Sequence, residues 1–148
     1  MNIAIGCDHA AFELKNAVIE HLKELEIEVI DVGTYSNERT DYPIYADKVS
    51  KLVQSKEVRY GILICGTGIG MSIAANKHKG IRAAACSEPY SAAASRRHNQ
   101  ANVLCFGARV VGTGLAFDIV DSFLEAKYEG GRHQKRVDML NALDEAKL

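Results

Sequence analysis

The sequence predicts an α/β fold, a Rossmann-like three-layer α/β/α sandwich with a five-stranded parallel sheet at its centre. Short apolar runs alternate along the chain with longer amphipathic segments, which is the pattern of βαβ units. The apolar runs also show little alternation with polar residues, as expected of strands that helices cover on both faces. Both observations favour a buried parallel sheet over an antiparallel one.

The strands and helices can be placed in order along the chain. The predicted strands are NIAIG, IEVIDVG, YGILIC, IRAAAC and ANVLCFG. The predicted helices between and after them are AFELKNAVIEHLKELE, PIYADKVSKLVQS, a segment from about Met71 to His78, a segment after Ser87, and LAFDIVDSFLEAKY. Each strand candidate is short and apolar, whereas each helix candidate between them shows one apolar face.

Local signals predict where the later helices begin and end. Ser87-Glu88-Pro89 predicts a helix start that the serine hydroxyl caps, and Gly130-Gly131 predicts a helix stop. A last helix is expected from about Arg132. Because the chain shows no linker, repeat or low-complexity tract, we expect residues 1–148 to form one domain.

The composition excludes several classes of protein. The 148 residues are 47% hydrophobic and 25% charged, with a formal net charge of -1. These values exclude a disordered chain and leave no broad attraction for nucleic acid. The N-terminal segment lacks the pattern of a signal peptide, and no apolar run approaches the roughly 18 residues that span a bilayer. We therefore expect a cytoplasmic protein with no nucleic-acid or membrane partner.

The four cysteines predict neither a zinc knuckle nor a redox dithiol. Cys7, Cys65, Cys86 and Cys105 show no C-x-x-C spacing, so each is expected to be a free thiol. A free cysteine is most often a small buried hydrophobic residue. Cys65 needs a separate account because it ends a predicted strand and directly precedes the glycine-rich segment GTGIG.

Polar residues follow the predicted strands, at the positions where ligands of open parallel sheets bind. Such ligands bind beyond the carboxyl ends of the strands, near loops and helix N-termini. In this chain the residues at those positions are Asp8, His9, the loop through Asp41-Tyr42-Pro43, Cys65, Ser87, Glu88 and Arg109.

The GTGIG segment predicts an anion site, because glycines allow successive backbone N–H groups to converge at the start of a helix. A dinucleotide fingerprint would need glycine at Met71, and a P-loop would need lysine there. Glu88, about 20 residues further on, nevertheless keeps a nucleotide-binding oxidoreductase as an alternative. A tight turn without a ligand is the simpler alternative. If the anion site exists, it would favour the thiolate form of Cys65, which could act as a base or a nucleophile.

Three further groups of residues have both a functional and a structural explanation. Asp8 and His9 could form an acid and base pair, or Asp8 could cap a helix. Arg132 and Arg136 lie four positions apart, so they could bind a phosphate from one helix face or simply face solvent. The simplest account of His98-Asn99 is a helix C-terminus.

The motifs taken together resemble one known family. They run through nearly the whole chain in the order DHAAF, VIDVGT, DYPIYA, ICGTGIGMSIAANK, GIRAA, SRRHNQANVL, GARVVG and GGRHQKRV. On these residues the chain is identified as a member of the ribose/galactose isomerase family. The resemblance implies aldose–ketose isomerisation of a phosphorylated sugar, ribose 5-phosphate to ribulose 5-phosphate in the pentose phosphate pathway, with no metal and no other cofactor. The family also includes isomerases of galactose 6-phosphate and allose 6-phosphate, which remain alternatives, as does a catalytically silent subunit.

The resemblance also implies catalytic roles for particular residues. Cys65 matches the base that moves a proton between C2 and C1, and Thr67 matches the hydroxyl that assists proton movement among the oxygens. His98, together with Asp8, matches the group that opens the sugar ring. The backbone that matches the anion hole for the enediolate belongs to Gly66, Gly68, Ile69 and Gly70.

The binding residues and the assembly are implied in the same way. Tyr42 and Asn99 match substrate contacts, and the residues that match the phosphate site are His9, Arg109, Arg132 and Arg136. The family assembles as homodimers, sometimes paired into tetramers, whose active sites combine residues from both chains. Two positions differ from many relatives: Ala11 replaces a common glycine, and MSIAAN lacks the glutamate that some relatives use as the base. Cys65 is therefore the one candidate base in this loop.

Overall fold

The computed structural model describes residues 1–145, which form a five-stranded sheet with helices around it. The strands are β1 (Asn2–Cys7), β2 (Glu28–Asp31), β3 (Tyr60–Cys65), β4 (Ala83–Ala85) and β5 (Val103–Gly107). The helices are α1 (Phe12–Glu24), α2 (Tyr42–Gln54), α3 (Ile69–Ala75), α4 (Pro89–Asn99), α5 (Thr113–Glu125) and α6 (Arg132–Glu145), and a short 3-10 turn spans His9–Ala11. All neighbouring strands are parallel, in the order β2-β1-β3-β5-β4. The predicted fold class is confirmed.

Helices cover both faces of the sheet, and the strand residues alternate between two apolar cores. In β3, Ile62 and Ile64 face the core that α1, α4 and α5 cover. Leu63 and Cys65 face the second core, which α2 and α3 cover. Because both faces are buried, the central strands β1, β3 and β5 are apolar at nearly every position, as the sequence predicted.

The two outer strands depart from that prediction. Glu28 and Ile30 of β2 are exposed, and β4 contains only three residues, none of them fully buried. An outer strand has a neighbour on one side only, so fewer of its side chains are covered. The predicted strand IRAAAC is therefore too long, and the predicted burial of all five strands holds only for the central three.

The predicted ends of three helices also need correction. Glu88, and not Ser87, caps α4, because its side chain accepts the N–H of Ser91 at 2.9 Å. Gly130 and Gly131 do not end α5, which already stops at Glu125. Both glycines have positive φ (63° and 54°) and form the turn that leads into α6. The third helix begins at Ile69 and ends at Ala75, earlier than the predicted Met71 to His78.

The parallel sheet has two ends that matter for function. We call the end where the strands finish the carboxyl edge, and the end where they begin the amino edge. Helix α4 starts beyond the carboxyl end of β4 and runs back to the start of β5, so its last residues lie at the amino edge. Helix α6 packs at the same edge, where the N–H of Gly80 donates to Asp144 Oδ2 at 2.7 Å just before β4. Among residues 1–145, none of the helices combines the length and apolar character that crossing a membrane requires.

Candidate active site

Cys65 lies at the carboxyl edge, under the glycine loop that follows β3. Its residue is 5% exposed, and the N–H of Gly68 donates to Sγ over 3.1 Å. Gly68 has φ of 80°, and a Cβ at this position would come within 2.7 Å of the Phe106 backbone. Only glycine therefore allows the loop to approach β5 so closely, and this approach brings the Gly68 N–H to the sulfur.

The other three thiols lie in surroundings that keep them protonated. Burial raises the pKa of Cys7 to about 12 and that of Cys86 to about 11, and it raises the pKa of Cys105 as well. All four cysteines are free, as predicted. Cys65 differs from the others in that the N–H directed at its sulfur belongs to Gly68, the residue at the start of α3.

Thr67 is exposed in the glycine loop. Its Oγ1 accepts the N–H of Ile69 at 3.2 Å, which fixes the hydroxyl at the start of α3. The N–H groups of the first helical turn have no carbonyl partner within the helix. Those of Gly68 and Ile69 already have side-chain acceptors, whereas those of Gly70 and Met71 belong to the turn that starts α3.

Asp8 and His9 follow β1 at the same edge, beside an open cavity of about 670 Å³. Asp8 Oδ1 accepts the N–H of Ala10 at 3.0 Å and caps the short turn, so the predicted capping role is present. His9 Nδ1 lies 3.2 Å from both the N and the O of Thr40. Because Nδ1 is engaged in this way, Nε2 is the His9 atom left for a ligand. The residues that line the cavity are Asp8, His9, Arg39, Thr40, Asp41, Tyr42, Pro43 and Arg109.

Tyr42 and Arg109 connect this cavity to the glycine loop. The Tyr42 ring lies against Gly70, where an added Cβ would come within 2.6 Å of it. The Arg109 side chain passes Gly66, with Nη1 3.4 Å from the position of a Cβ there. Backbone bonds reinforce the second contact, since the Arg109 N–H donates to the Gly66 carbonyl at 3.0 Å. The loop with Cys65 and the cavity with its cationic side chains are therefore neighbours.

Four of the predicted site residues lie elsewhere, at the amino edge. His98 and Asn99 end α4, and Arg132 and Arg136 lie in the first turns of α6. The His98 ring stacks on that of His133, with 4.3 Å between the ring centroids, and its Nε2 lies 3.8 Å from Glu129 Oε2. One chain therefore does not bring His98 to Asp8 or Cys65. These four residues form a second group at the opposite edge.

The surroundings of His133 in this second group lower its pKa. Burial lowers the pKa of His133, and the nearby Arg132 lowers it further. His133 was not among the predicted site residues, although it stands between the two arginines in the sequence GGRHQKR. A single histidine at that position forms no motif with its neighbours, so the sequence did not indicate a role for it.

Sequence reasoning also missed part of the cavity wall. Arg39 and Thr40 line it together with Asp41, and Thr40 binds His9 through its backbone. These residues belong to a polar loop between β2 and α2 that shows no periodic pattern. The cavity wall combines Arg39, Arg109 and His9 with the carboxylates of Asp8 and Asp41, and the two guanidinium groups can bind an anion there.

The structure answers two questions that the sequence left open, namely the effect of Ala11 and the role of Glu88. Ala11 has φ of -122°, which any residue adopts, and its side chain is buried in the core. Alanine in place of glycine therefore imposes no strain beside Asp8. Glu88, which a dinucleotide site would direct at a ribose, instead caps α4 through the N–H of Ser91. The nucleotide-binding alternative loses its one supporting residue.

Comparisons with known proteins identify the family of the chain. The family model described as Ribose/Galactose Isomerase matches residues 3–140. The chain is 61% identical over 143 residues to ribose-5-phosphate isomerase B of Escherichia coli, covering 97% of this chain and 96% of that protein. The structure of ribose-5-phosphate isomerase B from Clostridium thermocellum matches with a TM-score of 0.99 at 50% identity, over 100% of both chains.

A solved structure with a ligand is also similar. Ribose-5-phosphate isomerase B from Mycoplasma genitalium, with bound ribulose 5-phosphate, matches with a TM-score of 0.93 at 43% identity, covering 97% of this chain and 96% of that one. The family model covers most of the chain, and the identities are well above the level at which only a fold is shared. The chain belongs to the ribose/galactose isomerase family.

Proposed function

We propose that this chain is an isomerase that interconverts ribose 5-phosphate and ribulose 5-phosphate through an enediolate intermediate, without a metal. One observation carries the proposal: the glycine loop combines a thiol with the backbone N–H groups of a helix start. A proton next to a carbonyl group is released only if the resulting oxyanion is stabilised. One loop supplies both requirements, because Cys65 can take the proton and the N–H groups can stabilise the oxyanion.

The proposed reaction begins with the open-chain aldose. The Cys65 thiolate takes the C2 proton, and the electrons of the C–H bond form the C1–C2 double bond of an enediolate whose negative charge lies on O1. The same proton returns to C1, while the proton on O2 moves to O1, which leaves the carbonyl group at C2. The Thr67 hydroxyl lies at the start of α3 and can assist the movement between the two oxygens. Each well-placed N–H donor typically contributes about 10²–10³ in rate.

We further propose that the phosphate binds to the cationic side chains around the open cavity. His9 and Arg109 line it, and His9 keeps Nε2 available for a phosphate oxygen because Thr40 engages Nδ1. Arg39 lines the same cavity and is an additional candidate. Arginine is well suited to this role because its planar guanidinium group can donate two parallel hydrogen bonds to phosphate oxygens.

The sugar must also be opened from its ring form before C2 becomes acidic. We assign this step to His98 with Asp8, although the two residues lie at opposite edges of one chain. They could meet only if the amino edge of one chain lies against the carboxyl edge of another. We therefore propose a homodimer with two shared sites, in which a two-fold axis produces both sites at once. Ile69 and Ile73 of α3, each 56% exposed, supply apolar surface for such an interface.

A comparison of substrates tests the proposed reaction. Purified protein would be assayed with ribose 5-phosphate, allose 6-phosphate and galactose 6-phosphate, and kcat/KM would be determined for each. We expect a clear preference for ribose 5-phosphate. A preference for either six-carbon sugar phosphate would overturn the substrate assignment but leave the reaction type intact.

We also expect the protein to be found in the cytoplasm, which cell fractionation would test.

A further inference from the structure

Three side chains at the amino edge present metal-ligand atoms close to one another. They are His98, Glu129 and His133, and one ligand atom from each lies within 4.8 Å of the other two. Two imidazoles and a carboxylate are the donor set that Zn²⁺ and related divalent transition metals prefer. In this subsection we call these three residues the His-Glu-His cluster.

The separations in the cluster are close to those of a real site. Glu129 Oε1 lies 3.6 Å from His133 Nε2, and Oε2 of the same carboxylate lies 3.8 Å from His98 Nε2. Tetrahedral zinc with ligands at about 2.0–2.1 Å places neighbouring ligand atoms roughly 3.3–3.4 Å apart. The two imidazole rings are stacked with 13° between their planes. Binding one ion through both nitrogen atoms requires the rings to tilt out of this parallel stack.

An unpaired nitrogen atom points to a ligand at this place. His133 is 6% exposed, and its Nε2 is buried without a hydrogen-bond partner among the described residues. The 3.6 Å to Glu129 is too long for a hydrogen bond. Leaving a buried polar atom unpaired typically costs about 1–3 kcal/mol, so such atoms usually have a partner that completes them. The side chains of His98 and Glu129 are 38% and 48% exposed, which leaves a path for an ion to enter.

We propose that the His-Glu-His cluster binds one Zn²⁺ ion or a similar divalent transition metal ion, and that the ion inhibits the enzyme. Coordination would occupy the lone pair of His98, which is then lost to proton transfer during ring opening. This inhibitory consequence rests on the role proposed above for His98, whereas the binding itself does not. Three protein ligands leave a fourth position for water.

The surrounding charges indicate a reversible site. Arg132 and Arg136 are close enough to influence His133 electrostatically, and both oppose a dication. Glu129 supplies the one negative charge of the cluster. A chelator should therefore remove the ion readily, in contrast to the ions of closed structural zinc sites.

Direct binding measurements test the site without reference to catalysis. The full-length protein would be freed of metal with EDTA, dialysed and titrated with Zn²⁺ against a chromophoric chelator. The variants are Glu129→Gln, at an exposed position that should not disturb folding, and His133→Asn. Glu125→Gln, which removes the same charge from an exposed position at the end of α5, is the matched control. A Cys65→Ser background removes the thiol of the glycine loop, which could bind the ion independently of the cluster.

We expect one ion per chain in the wild type, in Glu125→Gln and in the Cys65→Ser background. We expect at least about tenfold weaker binding in Glu129→Gln and His133→Asn, because each loses a ligand. The absence of binding by the wild type, or wild-type affinity in either cluster variant, would overturn the proposal.

The activity measurement tests inhibition separately. Zn²⁺ should reduce ribose 5-phosphate isomerisation, EDTA should restore it, and Glu129→Gln should require at least about tenfold more Zn²⁺ for the same inhibition. Binding without inhibition would overturn the inhibitory half of the proposal. If the protein isomerised no sugar phosphate, the proposed function would fail, and the binding titration would still decide the metal site.

Discussion

The two edges of the sheet differ in how their functional groups are arranged. At the carboxyl edge, backbone bonds fix the Cys65 loop, and glycines allow close approach to β5 and to Tyr42. At the amino edge the candidate groups are side chains on helix surfaces, among them His98 with a 38% exposed side chain. In the proposed reaction, the first edge supplies the groups that act on the carbon atoms, and the second supplies groups for charge and proton exchange. Neither edge alone contains all that the proposed reaction requires.

The topology explains why one chain cannot join the two groups. A strand of five residues such as β5 spans roughly 16 Å, so the edges lie well beyond hydrogen-bonding reach of each other. Helix α4 runs back along this length and delivers His98 to the start of β5. The comparison therefore predicts that a chain lacking a catalytic group at the carboxyl edge and a chain lacking one at the amino edge are each inactive alone, and that together they form an intact shared site.

The largest expected effect is that of Cys65→Ser. A hydroxyl releases its proton far less readily than a thiol, so the variant should fold and bind substrate but lose about 10²–10⁴ in kcat. The exchange of the C2 proton in D₂O should fall equally. Cys86→Ser is the control, since burial raises the pKa of that thiol to about 11 and no catalytic role is proposed for it. Exchange at the wild-type rate in Cys65→Ser would assign the base to another residue.

Subunit mixing tests the comparison most directly. Cys65→Ser and His98→Ala protein should each be nearly inactive, and together they should regain activity after subunit exchange. In a symmetric dimer with shared sites, half of the randomly mixed dimers are mixed, and each mixed dimer has one intact site. We therefore expect recovery of about a quarter of the wild-type activity. No recovery after exchange that mass spectrometry has verified would contradict the proposal that sites are shared.

The sequence predicted the carboxyl edge better than the amino edge, for a physical reason. The residue after a parallel strand must lie at one edge, so Asp8, Cys65 and Arg109 could be grouped from strand positions alone. The position of His98 depends instead on the direction of α4, and its partners Glu129 and His133 come from a turn and another helix. Such contacts between distant segments leave no periodic trace in the sequence.

The helix ends also could not be predicted fully from the sequence. A serine and a glutamate stood side by side as possible caps of α4, and only the backbone direction decided that Glu88 accepts the Ser91 N–H. The length of the loop after α5 could not be predicted either. A glycine pair has the same sequence pattern whether it directly ends a helix or lies several residues beyond the helix end.

The next effect in size is expected from the arginines of α6. In the proposed dimer, Arg132 and Arg136 of one chain reach the phosphate in the cavity of the other. Arg132→Ala or Arg136→Ala should therefore raise KM for ribose 5-phosphate by roughly 10- to 150-fold, because each variant loses a charge-assisted contact of about 1.5–3 kcal/mol to that phosphate. Lys135→Ala removes a charge from an exposed position of the same helix and is the matched control. The effect should be on KM, whereas Cys65→Ser should affect kcat. Unchanged KM in both arginine variants would leave α6 with a purely structural role.

The smallest expected effect concerns an ion pair behind the glycine loop, at the far end of α3. His78 Nε2 lies 2.8 Å from Asp47 Oδ1, and its Nδ1 lies 3.0 Å from the Ala74 carbonyl oxygen of the helix. The hydrogen bonds from His78 and Lys51 lower the pKa of Asp47 below its usual value of 3.8. A lowered pKa means that the stabilisation is complete above the unfolded value and is lost as the pH falls through the folded value. Asp47 has a 43% exposed side chain, so the contribution should remain below about 1 kcal/mol.

Asp47→Asn should therefore reduce the free energy of unfolding slightly at pH 5 and above, and this difference from the wild type should shrink as the pH falls below about 4. Urea denaturation at several pH values measures it. Glu20→Gln, which removes the exposed partner of Lys23, provides a control with a smaller effect. Because α3 is fixed to the sheet at its glycine end by other contacts, kcat should be unchanged. A fall in kcat would show that the glycine loop is positioned through the whole length of α3, and that the two edges of the sheet are coupled within one chain.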